Sequence, residues 1–274
     1  MPGVDRVQSS AVTAAISRAA ARTGADFDYL LAQARIESGL NPAAQARTSS
    51  ARGLYQFIDS TWLRTMDKHG AKHGMEWAGH AIASGRIGDP ALRAEVMALR
   101  DSPDASALMA AELALDNRDG LRATLGRDPD HSELYLAHFL GLGGAQSFLS
   151  SLAKNPAQIA ADLNPPAARA NRAIFYDAGR ARTLDEVMDV VRGKMAAASD
   201  GMPAGANWTT PAPHGGPRPY SGHQQTDAAQ PLSDGRPVSM AETLRATFGD
   251  DTAGLGRAGV QVATAYSKFR AFAL

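Results

Sequence analysis

Residues that start and end helices recur along about the first 200 residues of the chain, and they constrain its fold more than any other feature. Asp89, Ser102 and Asn155 each precede a proline, which is the usual order of a capping side chain and the first helical residue. Thr183 and Glu186 have the spacing of a capping box. Alternating strand patterns are almost absent, so the sequence predicts a mainly α fold.

Glycines follow several apolar-periodic segments, at positions where helices commonly end: Gly24, Gly39, Gly70 and Gly141. Together with the caps, they predict helices at 9–23, 28–38, 60–69, 90–100, 103–118, 130–140, 143–153, 156–162 and 183–197. Any β-structure is expected to be very small, and 41–58 is the best place for a short hairpin or an irregular lobe. Asp59 or Ser60 is expected to cap the helix that follows this lobe.

A change in composition divides the chain into a predicted helical domain, 1–198, and two smaller parts. The stretch 199–237 is rich in Gly, Pro and Ser and poor in aliphatic residues, so it is predicted to be a flexible linker. Residues 238–274 are predicted to form a helical tail, because apolar residues return there at helical spacing. That apolar stripe consists of Val262, Tyr266, Phe269 and Ala273.

The charge balance and the lack of cysteine exclude several classes of function. The chain has 28 basic and 28 acidic residues, so it has no basic field to bind nucleic acid or an anionic membrane. It contains no cysteine, which excludes disulfides and thiolate metal sites. His69, His73, Glu76 and His80 lie close together in sequence, but Gly70 interrupts the helix that would align them, so neither a metal nor a cofactor is expected.

Glu37 is an acidic residue in the last turn of the predicted helix 28–38. At about 100° per residue, it projects near Leu30, at the edge of the apolar face. Such a position is often the wall of a cleft, partly dry and partly open. Burial and the negative end of the helix dipole both disfavour an ionised carboxylate there. A carboxyl held in its protonated form can act as a general acid. The alternative is a rim glutamate paired with Arg35 or Arg47.

Two motifs around Glu37 resemble those of the soluble lytic transglycosylase family, whose domain is similar to goose-type lysozyme. The sequence R-I-E-S-G-L-N-P at 35–42 resembles the family's Glu-Ser pair at a helix end. The sequence G-L-Y-Q at 53–56 resembles its Gly-Leu-aromatic-Gln motif. The resemblance covers about residues 10–195 and implies a lysozyme-like helical domain of the α+β lysozyme superfamily.

The resemblance also implies roles for individual residues. Glu37 would be the single catalytic acid and base, and Ser38 and Gln56 would line the glycan cleft. Gln56 offers a donor and an acceptor to a sugar, and the Tyr55 ring could stack on a sugar face. Gly53 is expected at a close backbone approach or at positive φ.

The family's third motif, Ala-Tyr-Asn-x-Gly, is only partly matched by A-H-F-L-G at 137–141. His138 replaces the tyrosine that contacts the catalytic acid in the family. Either His138 provides this contact, or Tyr135 does so from one turn earlier. A helix-packing role for His138 is an equal alternative. Further along the chain, Asn171 and Tyr176 lie in a segment that resembles one near the cleft of some bacterial members, and they are candidate sugar-binding residues.

The implied reaction is cleavage of the bond between N-acetylmuramic acid and N-acetylglucosamine in peptidoglycan, with formation of a 1,6-anhydro ring. If water attacked instead, the same site would be a muramidase. A non-catalytic glycan-binding or assembly module is the alternative from another class. The tail 238–274 could dock on a flagellar or secretion machine, or fold back on the domain. The substrate implies the periplasm or cell envelope, although no secretory signal or membrane-spanning stretch is visible.

Overall fold

The computed structural model of the chain describes residues 2–47 and 49–200, which form a mainly helical structure. The α-helices are α1 (Pro2–Thr23), α2 (Phe27–Ser38), α3 (Asp59–His69), α4 (Glu76–Ala83), α5 (Pro90–Ala98), α6 (Pro103–Leu125), α7 (His131–Lys154), α8 (Ala160–Leu163), α9 (Pro165–Ala170), α10 (Arg172–Phe175) and α11 (Leu184–Ser199). Short 3-10 turns lie at Gly70–His73, Arg86–Gly88 and Leu99–Asp101. The predicted mainly α, lysozyme-like class is therefore confirmed.

The β-structure among these residues is very small. Strands β1 (Tyr176–Asp177) and β2 (Arg180–Ala181) pair antiparallel, with Tyr176 opposite Ala181. The segment 41–58 instead forms an irregular lobe with two isolated bridges, from Gln45 to Arg52 and from Arg52 to Phe57. Of the two alternatives expected at 41–58, a short hairpin or an irregular lobe, the structure has the irregular lobe, and the small sheet at 176–181 was not predicted.

Capping side chains set several helix starts as the sequence predicts. Asp89 accepts hydrogen bonds from the backbone at the start of α5, and Ser102 accepts one at the start of α6. Thr183 and Glu186 form the predicted capping box at the start of α11. Gly141 has a φ of 72° and breaks the helical conformation inside α7, where two helices were predicted.

The predicted start of the helix at 156–162 is wrong. Asn155 ends α7, and α8 begins only at Ala160. The backbone between them is bonded to the start of α11, since the Leu184 N–H donates to the Gln158 carbonyl. These bonds to another segment satisfy backbone groups that would otherwise pair within a helix.

Helix α3 also starts differently from the expectation. It begins at Asp59, and its N-cap is Ile58, which has no side chain that could cap. The Asp59 carboxylate does not cap because it accepts from Arg93 and Arg100 instead. Helix α4 was not predicted at all, and it likewise starts without a capping side chain.

The helices pack around α2, which lies in the interior. Helix α6 packs against α1 and α7, and α11 packs against α2 and α7. Along α2, Leu30, Ala32 and Ala34 have no exposed surface. Because α2 lies in the interior, Glu37 in its last turn is buried.

The predicted linker 199–237, apart from its first two residues, and the predicted tail 238–274 lie outside the described residues. Among the helices that the structure describes, none combines the length and the apolar character needed to cross a membrane.

Candidate active site

Helix α2 is closed at both ends by side-chain and backbone caps that hold Glu37 in a defined place. At its start, the Asp26 carboxylate accepts from the Tyr29 N–H at 2.8 Å. At its end, Gly39 adopts the left-handed conformation with φ of 61°, and its N–H bonds back to the last turn. Glycine is favoured there because a Cβ would strain this backbone. Glu37 therefore lies two residues before a fixed helix end.

The Glu37 carboxyl group is enclosed and is bonded on one oxygen. Its side chain has 0% exposed surface. The Tyr135 hydroxyl donates to Oε1 at 3.1 Å, and His138 Nε2 lies 3.4 Å from the same oxygen. No hydrogen-bond partner of Oε2 is found in the described part of the chain. The two oxygens thus differ: Oε1 is held by helix α7, and Oε2 is left for another group.

Tyr135 and His138 both approach Glu37, which answers the question left open by the third motif. They are three residues apart on α7, so they lie on the same face of the helix. Tyr135 makes the hydrogen bond, whereas His138 Nε2 is close to Oε1 without forming one.

The Tyr135 hydroxyl is suited to keep its proton and so to remain a hydrogen-bond donor. Burial, the charge of Glu37 and the hydrogen bond to it raise the pKa of the Tyr135 phenol well above its ordinary value of 10. The nearby phenol of Tyr29 is affected in the same way, since burial and then the charge of Glu37 raise its pKa. Sequence reasoning missed Tyr29, although its aromatic ring lies on the buried side of the same helix.

The expected position of Glu37 at the open edge of a cleft needs correction. The carboxyl is enclosed because α7 places two side chains against it and α11 packs on α2. Arg35, named in the alternative of a rim pair, donates from its guanidinium to the Ala198 carbonyl at the end of α11, at 2.7 Å.

Ser38 joins the two sequence motifs physically. Its hydroxyl lies 2.8 Å from the Leu54 carbonyl and 3.1 Å from the Ala34 carbonyl, so one proton serves two acceptors. The helix end that carries Glu37 is thereby tied to the G-L-Y-Q turn. With its proton used in this way, Ser38 could meet a sugar only as an acceptor.

Gln56 organises the turn in a similar way. It has a φ of 49°, which is uncommon for a residue other than glycine, and its Nε2 donates to the carbonyls of Ala44 and Gly53 at 3.1 and 2.9 Å. Both protons of the side-chain amide are therefore bound inside the lobe. The Gln56 side chain could contact a sugar only through its amide oxygen, Oε1. Gly53 meets both expectations, with a φ of 84° and the Arg100 carbonyl 2.1 Å from where a Cβ would lie.

Tyr55 lies inside the protein in this structure. Its ring is fully buried, and its hydroxyl has no hydrogen-bond partner among the residues described. Burial raises the pKa of this phenol well above its ordinary value, followed by the effect of Tyr29. A stacking contact between Tyr55 and a sugar would require the ring to move outward, so this role stays a prediction.

Asn171 and Tyr176 belong to the segment between α9 and the small sheet. Asn171 Nδ2 donates to the Ala167 carbonyl at 2.9 Å, and the Arg172 guanidinium lies 4.7 Å from the centre of the half-buried Tyr176 ring. Arg182 holds this segment through the carbonyls of Ala173, Ile174 and Tyr176. Sugar binding by Asn171 and Tyr176 stays a prediction.

The histidines at 69 and 73 bind carboxylates of α6. His73 Nε2 lies 2.8 Å from Glu112 Oε1, and His69 Nε2 lies 2.9 Å from Asp116 Oδ2. Within the described ranges, no group of histidines and carboxylates has an arrangement that could hold a metal ion. These contacts join the turn after α3 to helix α6.

Comparison with known protein families matches residues 14–92 to the family described as the transglycosylase SLT domain. The matched residues include the helix end with Glu37 and Ser38 and the turn with Gln56. Tyr135 and His138 lie beyond the matched residues, on a helix that the fold brings back to Glu37.

Proposed function

We propose that the chain, whose residues 14–92 match the transglycosylase SLT domain family, is a soluble lytic transglycosylase in which Glu37 is the single catalytic acid and base. At the level of the family, the chain is an enzyme that cleaves peptidoglycan by lytic transglycosylation. The bond cleaved, the product and the roles of individual residues are our proposal.

In the first step, Glu37 donates its proton to the glycosidic oxygen between N-acetylmuramic acid and N-acetylglucosamine. We assign this proton to Oε2, because Oε1 already accepts from Tyr135. The bond from C1 of the muramic residue to that oxygen breaks, and N-acetylglucosamine leaves with the proton. The acetamido group of the muramic residue stabilises the positive charge that develops at C1, so no second carboxylate is needed.

In the second step, the ionised Glu37 takes the proton of the 6-hydroxyl of the same muramic residue. The 6-oxygen then attacks C1 and closes the 1,6-anhydro ring. The carboxyl returns to its protonated form, and no water is consumed. The Tyr135 hydroxyl stabilises the carboxylate between the two steps, because hydrogen bonds to charged groups are stronger than those to neutral ones.

The single observation that carries the choice of an internal attack is the enclosed Glu37 side chain, which has 0% exposed surface. A hydrolytic muramidase must hold a water molecule beside the carboxylate while the cation-like centre exists. A carboxyl removed from solvent disfavours this arrangement and favours the hydroxyl that the substrate brings with it.

Mass spectrometry of products from purified peptidoglycan sacculi tests the proposal. We expect anhydro-muropeptides, each lighter by one water than the hydrolysis product, and we expect Glu37→Gln to release none. Glu112→Gln is the matched control, because it makes the same change at another buried glutamate that contacts His73 rather than the site. Reducing ends would assign a muramidase. Binding to sacculi without released fragments would assign a non-catalytic module, and full activity of Glu37→Gln would refute the role of Glu37.

We also propose that the chain acts in the periplasm or cell envelope, where its family's substrate lies. The segment 238–274, outside the described residues, is proposed to dock on a flagellar or secretion machine. Deletion of 239–274 should leave activity on sacculi unchanged and alter localisation. Lost activity with unchanged localisation would refute docking and favour a segment that folds back on the domain.

A further inference from the structure

The irregular lobe at residues 41–58 has little regular structure of its own. Its backbone pairing consists of the two isolated bridges through Arg52. It also holds Gln56 at a positive φ, a conformation that persists only where surrounding contacts impose it. The lobe that carries the G-L-Y-Q motif therefore needs support from elsewhere in the protein.

Arg100 supplies much of this support from the 3-10 turn before α6. Its side chain is buried, and its Nη1 lies within hydrogen-bond distance of the Ser50 carbonyl, the Phe57 carbonyl and Asp59 Oδ1, at 2.8, 3.1 and 2.8 Å. These acceptors come from the middle of the lobe, its end and the first residue of α3. One guanidinium thus joins the middle of the lobe to its end and to the start of α3.

A second ion pair joins the lobe directly to the 3-10 turn, with the arginine in the lobe and the carboxylate in the turn. Arg52 in the lobe donates through Nε to Asp101 Oδ1 at 2.7 Å, and its Nη2 lies 2.6 Å from Asp101 Oδ2. Such a two-bond contact fixes orientation as well as distance. Between the two pairs, Gly53 packs directly on the Arg100 backbone, without room for a Cβ.

We propose that Arg100 and Asp101 are positioning residues that set the place of the lobe against the glycan, an inference that rests on the proposed function. Both residues lie beyond the residues that match the family, 14–92, and neither contacts Glu37 in the bonds described above. They act through the lobe, whose Leu54 carbonyl accepts from Ser38 beside Glu37.

The geometry predicts whether displacement of the lobe changes KM or kcat. Glu37 is held by Tyr135 on α7, and this bond does not involve the lobe. A displaced lobe should therefore weaken glycan binding and raise KM, while the acid and base steps at Glu37 continue with a similar kcat. General unfolding, by contrast, would lower the active fraction and so reduce the apparent kcat without changing KM.

Exchange of charges across the partly exposed Arg52–Asp101 pair tests the inference while the buried Arg100 side chain is kept. Arg52→Asp and Asp101→Arg each place like charges together, and we expect each to raise KM on solubilised glycan strands about tenfold, with kcat changed less than about twofold. The double variant restores an opposite pair and should recover most of the wild-type KM. Arg18→Asp is the matched control, because it breaks a similar ion pair, with Asp104, between α1 and α6.

A second variant, Arg100→Lys, keeps the charge but loses the planar group that reaches several acceptors, and it should raise KM in the same way. Wild-type KM in the single variants would overturn the inference, as would a double variant as impaired as the singles. An active Glu37→Gln variant would instead overturn the proposed function, so the two failures are distinguishable.

Discussion

The hydrogen bond from Tyr135 to Glu37 gives the sharpest quantitative prediction. Tyr135→Phe removes only the hydroxyl that lies 3.1 Å from Oε1 and keeps the buried ring. Among the described residues, the Glu37 carboxyl would then keep the approach of His138 Nε2 at 3.4 Å, which lacks hydrogen-bond geometry. The substitution therefore tests what one buried hydrogen bond contributes to the reaction.

The expected loss follows from when the hydrogen bond is strongest. Glu37 is neutral before it donates its proton and negative once the glycosidic bond has broken. A hydrogen bond to a charged group contributes about 1.5–3 kcal/mol, against about 1 kcal/mol for a neutral one. The difference, about 0.5–2 kcal/mol, is lost in the transition state but not in the bound substrate, and it corresponds to about a 2- to 30-fold lower kcat. KM should change little, because the hydroxyl is not proposed to contact the glycan.

The assay is the initial rate of anhydro-muropeptide release as a function of glycan concentration. Thr65→Val is the control, because it also removes a buried hydroxyl, one that donates to Thr61 on α3 at 2.8 Å. Both variants should lose similar stability, measured as Tm, but only Tyr135→Phe should lose kcat. An unchanged kcat in Tyr135→Phe, or an equal loss in both variants, would refute a role for this bond in the chemistry.

Two further predictions concern stability. Gly53→Ala should destabilise the protein by about 2 kcal/mol or more, because the new Cβ meets the Arg100 carbonyl and the backbone has positive φ; an unchanged denaturant midpoint would contradict this close approach. For Glu112, burial raises the carboxyl pKa, but hydrogen bonds from His73 and Lys72 outweigh it and hold the pKa below its ordinary value of 4.5. Its contribution to stability is thus present above pH 4.5 and lost as the pH falls through the lower folded-state pKa. Wild type should be more stable than Glu112→Gln at pH 7, and the gap should narrow below pH 4.5, whereas a constant gap would contradict this assignment.

Helix boundaries could be predicted where a local side chain determines them. Asp89, Ser102 and Thr183 cap their own helices, and local chemistry of this kind is visible in sequence. Asn155 has the same local pattern, but the backbone that follows it bonds to the residues before α11. Asp59 likewise turns away from its own helix towards Arg93 and Arg100. In both cases a hydrogen-bond partner distant in sequence determines the structure instead of the local capping preference. Sequence alone does not identify that partner.

In the candidate site, too, some features could be predicted from the sequence and others could not. Helical spacing and the resemblance to a known family were enough to single out Glu37 and to place Gly53 at a special backbone conformation. They did not reveal that Ser38 and Gln56 use their donors on backbone carbonyls, because those carbonyls belong to a lobe without periodic structure. The supporting turn of Arg100 was missed for the same reason.

The pair of Tyr135 and His138 shows why the third motif could not be resolved from sequence. Residues three apart on a helix share a face, so periodicity allows both to reach Glu37 and cannot rank them. The ranking depends on about 0.3 Å, the difference between the hydroxyl at 3.1 Å and the imidazole nitrogen at 3.4 Å, and on direction, since hydrogen bonds weaken steeply when misaligned. Tyr135, one turn before position 138, already donates a phenolic hydrogen bond to Glu37. A histidine at position 138 therefore does not deprive Glu37 of this donor. Departure from the family motif at 138 therefore does not by itself argue against catalysis by this chain.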